Sequence, residues 1–212
     1  MVRITRVHTG IGDEGNTQHL DGTTVSKSDT RLEVVGTIDE LNSIVGVIRM
    51  ELGRLPTVGE DGGPKTIIHR VQAKVGRLLS HLQQELFDLG AECSTTPESI
   101  PEGMQVLPDS AGERLVKEMD EMLEVCEPLT SFILPTGNPV IAHLHMARSV
   151  TRRCERRLSS LREAEGANSV RGETFAYLNR LSDWFFVMAR WIAATLGEDE
   201  TLWKPLGRRM ED

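Results

Sequence analysis

An all-α bundle of about five helices, entered through a glycine-rich N-terminal arm, is the fold class this sequence predicts. Three observations carry that expectation. Aromatic residues make up only 4% of the chain, and β-branched runs are few. Apolar residues recur at steps of three and four along five long stretches, the period of a helix with one buried face. Gly and Pro cluster between those stretches, where they punctuate loops. At 212 residues the chain is long enough for one domain with a full core. The expected division is an arm over 1–30, a helical bundle over 31–197 and a tail over 198–212.

The arm is the least helical part. Gly10, Gly12, Gly15 and Gly22 alternate with Thr9, Asp13, Asn16, Thr17, Thr23 and Thr24. Glycines permit close backbone approach, and successive N–H groups in such a loop cradle phosphates. The stretch has neither a P-loop signature nor the strand–turn–helix setting of a dinucleotide fingerprint. It reads either as a ligand-hugging loop or as a mobile arm. Lys27, just beyond, is a further phosphate contact or an ordinary surface lysine.

The first helix is expected from about Arg31 to Glu51, with Val34, Val35, Ile38, Leu41, Val45 and Ile48 inward. Pro56, Gly59, Gly62, Gly63 and Pro64 mark a loop. The second helix, about Lys65 to Glu92, has the seam Ile68, Val71, Val75, Leu78, Leu82, Leu86 and Leu89, which suits a bundle. Pro97, Pro101, Gly103 and Pro108 mark the next connection. A third helix runs from about Ser110 to Val125, with Ser110 and Glu113 spaced as a capping box. The fourth follows Pro135-Thr136-Gly137-Asn138-Pro139, with the seam Leu144, Ala147, Thr151, Cys154, Leu158 and Leu161. The fifth, about Arg171 to Leu196, buries Leu178, Leu181, Phe185, Met188 and Ile192 and stops at Gly197. Trp184 and Trp191 lie outside that seam, which fits an oligomer or further contacts within the chain. The tail is polar apart from Leu202, Trp203 and Leu206.

The formal charge is −8, which disfavours a general nucleic-acid binder. Against it stands the fourth helix, where Arg148, Arg152, Arg153, Arg156 and Arg157 fall within ten residues with Glu155 among them. Arg148, Arg152 and Arg156 share a face at helical spacing. Guanidinium forks suit phosphate oxygens, so the face reads as half of a polyphosphate site. A solvated face paired to acids such as Asp39 or Glu155 has the same pattern. Arg153 and Arg157 point elsewhere and read as surface residues.

Asp39, Asn42, Asn179, Ser182 and Asp183 flank core positions and need partners. Asp39 suits an arginine, and Asn179 a sugar or phosphate; structural hydrogen bonding between helices is the alternative, and the preferred one for Asp183. The histidines have neither the Glu-x-x-His pairs of di-iron bundles nor a nucleophile beside them. A ferritin-like metal site is therefore not expected, and any catalysis rests on positioning and charge. Cys93, Cys126 and Cys154 are odd in number and scattered, so a reducing cytosol is the expected compartment. No apolar run approaches membrane-spanning length.

Taken in order, these residues resemble the PduO-type ATP:cob(I)alamin adenosyltransferases, also called corrinoid adenosyltransferases. The resemblance rests on Thr9-Gly10-Ile11-Gly12-Asp13-Glu14-Gly15, Gly36-Thr37-Ile38-Asp39-Glu40-Leu41-Asn42-Ser43 and Phe132-Ile133-Leu134-Pro135. It continues through Ala147-Arg148, Arg152-Arg153-Cys154-Glu155-Arg156 and Leu178-Asn179-Arg180-Leu181-Ser182-Asp183. It implies a ferritin-like five-helix bundle that assembles as a homotrimer with active sites between subunits. The implied reaction moves the 5′-deoxyadenosyl group of ATP to cob(I)alamin with Mg²⁺, releasing triphosphate. Thr9, Gly10, Ile11, Gly12, Thr17, Gln18 and Lys27 would form the ATP-binding arm. Arg152, Arg153, Cys154, Glu155, Arg156 and Asn179 would complete the nucleotide site. Arg148 and Asp39 would pair across a subunit boundary, and Phe132 would press on the corrin. A reductase that supplies cob(I)alamin and an enzyme that receives the product are further implied partners. The chain departs from the family at Gly10 and Ile11, where a basic residue and a threonine are usual, so Ile11 offers no hydroxyl. A non-catalytic nucleotide-sensing bundle is the alternative: it would keep the arm and arginines but need no corrin pocket.

Overall fold

The computed structural model of the chain describes His8, Gly10 and residues 12–208. Five helices form as expected: α1 (Thr30–Arg54), α2 (Thr66–Cys93), α3 (Ala111–Leu123), α4 (Pro139–Glu165) and α5 (Gly172–Leu196). Helix α1 packs on α2 and α4, α4 on α5, and α5 on α3, with α2 touching α5 to close the bundle.

Asp29 starts α1 by accepting the Arg31 N–H at 2.8 Å, satisfying one of the orphan donors of a first turn. The chain turns out of helix before Pro56, which disfavours α conformation in the residue it follows. Asn138 caps α4 through Val140 and Ile141, and Pro139 occupies the first helical position, where no N–H is needed. Gly197 ends α5 at φ +69°, a left-handed cap that favours glycine. All six seam residues expected on α4 and all five on α5 are fully buried.

Two sequence expectations are corrected, and one left open, for Trp184, is decided. The α2 seam uses Leu79, fully buried, where Leu78 was expected; Leu78 only flanks the core. At 3.6 residues per turn, the two lie about 60° and 40° either side of Val75. Contacts to α1 and α5 select the Leu79 side. Ser110 makes no capping bond, because it already has helical torsions (φ −72°, ψ −8°); a cap needs an extended residue to aim its oxygen. Trp184 needs no second subunit to be buried, since its indole N–H donates to Glu118 at 2.7 Å inside the chain.

Two features have no counterpart in the sequence expectations. Within the arm, β1 (Asn16–Gln18) and β2 (Thr24–Ser26) pair antiparallel, with Thr17 opposite Val25. At the other end, Ile133 bridges antiparallel to Leu202, so the tail returns to the loop before α4. Buried Arg31 fixes the root of the arm: its guanidinium donates to the carbonyls of Cys93, Thr95 and Ser169 and pairs with Glu165.

Candidate functional site

The arginines of α4 separate into two sets. Arg153 pairs with Glu40, and Arg157 with Glu33 at 3.4 Å, so both tie α4 to α1. Both stand at the surface, as the residue spacing had them, and Arg153, which the resemblance assigned to the nucleotide, does not line the groove between α4 and α5. Arg152 and Arg156 are exposed and make no ion pair among the described residues; Arg156 Nη1 donates to the Arg152 carbonyl at 3.1 Å. Their face is exposed but held in no ion pair among the described residues, so the acid-paired reading that the sequence left open does not hold.

Those two arginines line a groove of about 630 Å³ between α4 and α5, a volume in the range of small-molecule sites. Glu155 and Ser159 share the α4 wall, while Gly172, Phe175, Ala176 and Asn179 form the α5 wall. On each helix the lining residues follow i, i+3 or i+4, i+7, the spacing of one face. The same spacing would have found Ser159, Phe175 and Ala176, which sequence reasoning missed. Gly172 and Ala176 keep the α5 wall low. The Phe175 ring is half-buried beneath the Arg162 guanidinium, 5.0 Å from its centre. Burial of the Glu155 carboxyl pushes its pKa above the ordinary value, Arg152 pulls it back, and Asp183 adds to the rise.

The remaining candidates lie around this groove rather than in it. Cys154 is fully buried, its thiol pushed up to about 12 chiefly by burial, so its side chain belongs to the core and not to the groove. Arg148 is half-buried one turn earlier, and its Nε is buried without a hydrogen-bond partner among the described residues. Such an orphan is costly unless something else meets it. Asp39 lies elsewhere, exposed in an apolar groove of about 350 Å³ between α1 and α2 that Phe87, Gly36 and Gly90 also line. Asn42, beside it, links the helices: its amide donates to the Gln83 carbonyl at 3.1 Å, and Gln83 returns the bond. Ser182 donates to the Asn179 carbonyl, a contact within α5.

Phe132 stands at the α3–α4 end with 77% of its surface exposed. In the arm, Thr17 and Gln18 lie on β1, and Lys27 folds over Gly12. Thr9 and Ile11 fall outside the described residues. Among the described residues no group of three or more His, Cys, Asp and Glu gathers as a metal cage, and no helix is long and apolar enough to cross a membrane.

A single chain thus gathers Arg152, Glu155, Arg156 and Asn179, and leaves Asp39, Phe132 and the arm on other faces. What chemistry such a set serves is answered by similarity. A family model described as cobalamin adenosyltransferase matches residues 7–192. A corrinoid adenosyltransferase of Mycobacterium leprae is 35% identical over 97% of this chain and 99% of its own. A cobalamin adenosyltransferase of Cupriavidus metallidurans is 34% identical over 95% and 96%. Among solved structures, a phenylalanine-to-alanine variant of the PduO-type ATP:corrinoid adenosyltransferase of Lactobacillus reuteri, complexed with cobalamin and ATP, superposes with a TM-score of 0.79. It is 26% identical and covers 94% of this chain and 100% of that one. An arginine-to-lysine variant complexed with ATP gives 0.76 at 27% identity, over 93% and 100%. With five helices in place and a cationic groove between α4 and α5, the chain belongs to the cobalamin adenosyltransferase family, among its PduO-type ATP:corrinoid adenosyltransferases.

Proposed function

We propose that this chain transfers the 5′-deoxyadenosyl group of ATP to cob(I)alamin, forming adenosylcobalamin and releasing triphosphate. The observation that carries the reading is the pair Arg152 and Arg156, held in no ion pair among the described residues and set on the groove with Asn179. Cob(I)alamin is itself a strong nucleophile, so the protein needs no general base. The cobalt electron pair forms the Co–C bond as the bond from C5′ to the triphosphate oxygen breaks. Charge grows on the leaving triphosphate, and pre-placed cations lower that barrier. Arg152 and Arg156 face the phosphates from α4, Lys27 with Gly12, Thr17 and Gln18 closes over them from the arm, and Asn179 orients the nucleoside.

Mg²⁺ fits this donor set. Glu155 is the carboxylate that lines the groove, and Mg²⁺ is commonly held by one or two carboxylates together with phosphate oxygens. Glu155 would hold it with the triphosphate, and the ion would add neutralising charge there.

The assembly we propose is a homotrimer in the cytoplasm, with each site shared between subunits. The support lies in the incompleteness of one chain. Arg148 keeps an orphaned Nε, and Asp39 waits on the apolar α1–α2 groove. Pairing the two across a boundary satisfies both and places a neighbour's surface near the nucleotide. Phe132, exposed ahead of the start of α4, then meets the corrin and keeps a base off the lower cobalt face.

The deciding experiment is anaerobic: ATP, Mg²⁺ and chemically reduced cob(I)alamin are mixed with the purified chain. Adenosylcobalamin absorbance and stoichiometric triphosphate are expected. ATP binding without either product would leave the nucleotide-sensing alternative standing.

A further inference from the structure

The loop that carries Phe132 is held by the tail, through Thr201 and Trp203. The Trp203 N–H donates to the Phe132 carbonyl at 2.7 Å, and the Leu134 N–H donates to the Thr201 carbonyl at 2.8 Å. Ser131 Oγ donates to the Trp203 carbonyl at 2.9 Å. The Trp203 ring meets the Phe132 ring edge-on, with centres 6.0 Å apart and planes at 68°. An edge-to-face pair of this kind fixes ring orientation as well as position.

This strand of tail is itself anchored. Arg190 of α5 is buried and donates from Nε to Glu200 at 2.9 Å, while its Nη2 reaches Glu200 at 3.3 Å and the Glu127 carbonyl at 2.6 Å. One guanidinium thus grips the tail and the start of the loop that carries Phe132. At the loop's far end, the Asn138 amide donates to Glu198 at 2.7 Å, so the α4 cap is joined to the same tail. The loop is bracketed on both sides by residues 198–203.

We infer that Trp203 is a positioning residue: with the Arg190–Glu200 clamp behind it, the tail sets the Phe132 ring at the angle needed to exclude a lower cobalt ligand. The inference rests on the reading of Phe132 as the corrin-facing group. It gives a role to a tryptophan that is 39% exposed in a mostly polar tail.

The test uses the full chain with ATP, Mg²⁺ and cob(II)alamin, and reads the fraction of four-coordinate cob(II)alamin by absorption and electron paramagnetic resonance. Trp203→Ala is expected to lower that fraction about fivefold, the scale of one lost aromatic edge contact. Trp203→Phe should restore it, and ATP affinity should stay at the wild-type value in both. In a Phe132→Ala background, Trp203→Ala should have no additional effect. Full four-coordinate signal in Trp203→Ala overturns the positioning role, as does failure of Trp203→Phe to rescue or an undiminished effect in the double variant. Full signal in Phe132→Ala alone would overturn the reading beneath it, a separate outcome.

Discussion

Lys27 lies across Gly12: a Cβ on that glycine would stand 2.9 Å from the Lys27 ammonium and 3.0 Å from Cε. The obstacle is the far end of a flexible side chain, so alanine there moves the ammonium rather than the backbone. Gly12→Ala should raise the Kd for ATP about tenfold, near the worth of one charge-assisted hydrogen bond. The melting temperature should not change, because the arm is exposed. Titration of ATP by calorimetry and a thermal melt check the two halves.

Arg152 and Arg157 sit five positions apart on one helix yet should behave differently. Arg152→Ala should lower turnover about a hundred- to a thousandfold, the cost of one well-placed charge stabiliser, and leave cobalamin affinity unchanged. Arg157→Ala loses only an exposed pair with Glu33 and should cost under about 1 kcal/mol of stability. Steady-state kinetics on both variants, under anaerobic reduction, decide the matter. Equal turnover in Arg152→Ala and wild type would remove the arginine face from the mechanism.

Two adjacent leucines test the packing of α2. Leu79→Ala empties a fully buried site and should destabilise the chain by about 3 kcal/mol. Leu78→Ala, at the core's margin, should cost about 1 kcal/mol. Denaturant unfolding midpoints measure the difference.

His145 is buried beside the Phe186 ring, and its pKa is pushed below the ordinary 6.5, first by burial and then by the Arg148 charge; Glu200 acts the other way. Below pH 6.5 the unfolded chain binds a proton that the folded chain resists. Stability is therefore present above 6.5 and lost as pH falls through the depressed folded value. Wild type should lose more melting temperature between neutral and mildly acid pH than His145→Gln does. Parallel curves would show that His145 contributes nothing to acid sensitivity.

The helices were legible because their signals are local. An i, i+3, i+4 repeat, an Asp or Asn cap and a terminal glycine each act within a few residues. What the sequence left unread depends on distant neighbours. Choosing Leu79 over Leu78 needs α1 and α5 in place. The helical torsions that spoil the expected cap at Ser110 are set where Asp109, next to it, pairs with Arg171. The hairpin strands have three residues each, too short for a periodic signal. At the site, the shared face of Arg152 and Arg156 was readable from spacing. That Arg153 is held by Glu40 was not, since neighbours in sequence differ only in which helix they meet. The return of Trp203 to Phe132 joins residues 71 apart in the chain, and nothing local announces it.

Arg31 pins the foot of the arm against the ends of α2 and α4, while among the described residues the hairpin strands pair mainly with each other. The foot of the arm is thus fixed twice, by Arg31 beneath it and by His19, whose ring stands 3.7 Å from the Asp29 carboxylate that caps α1. A ligand that Lys27 and Gly12 help to hold would meet a surface whose base is already placed, so less chain entropy is surrendered on binding than by a free segment of the same length.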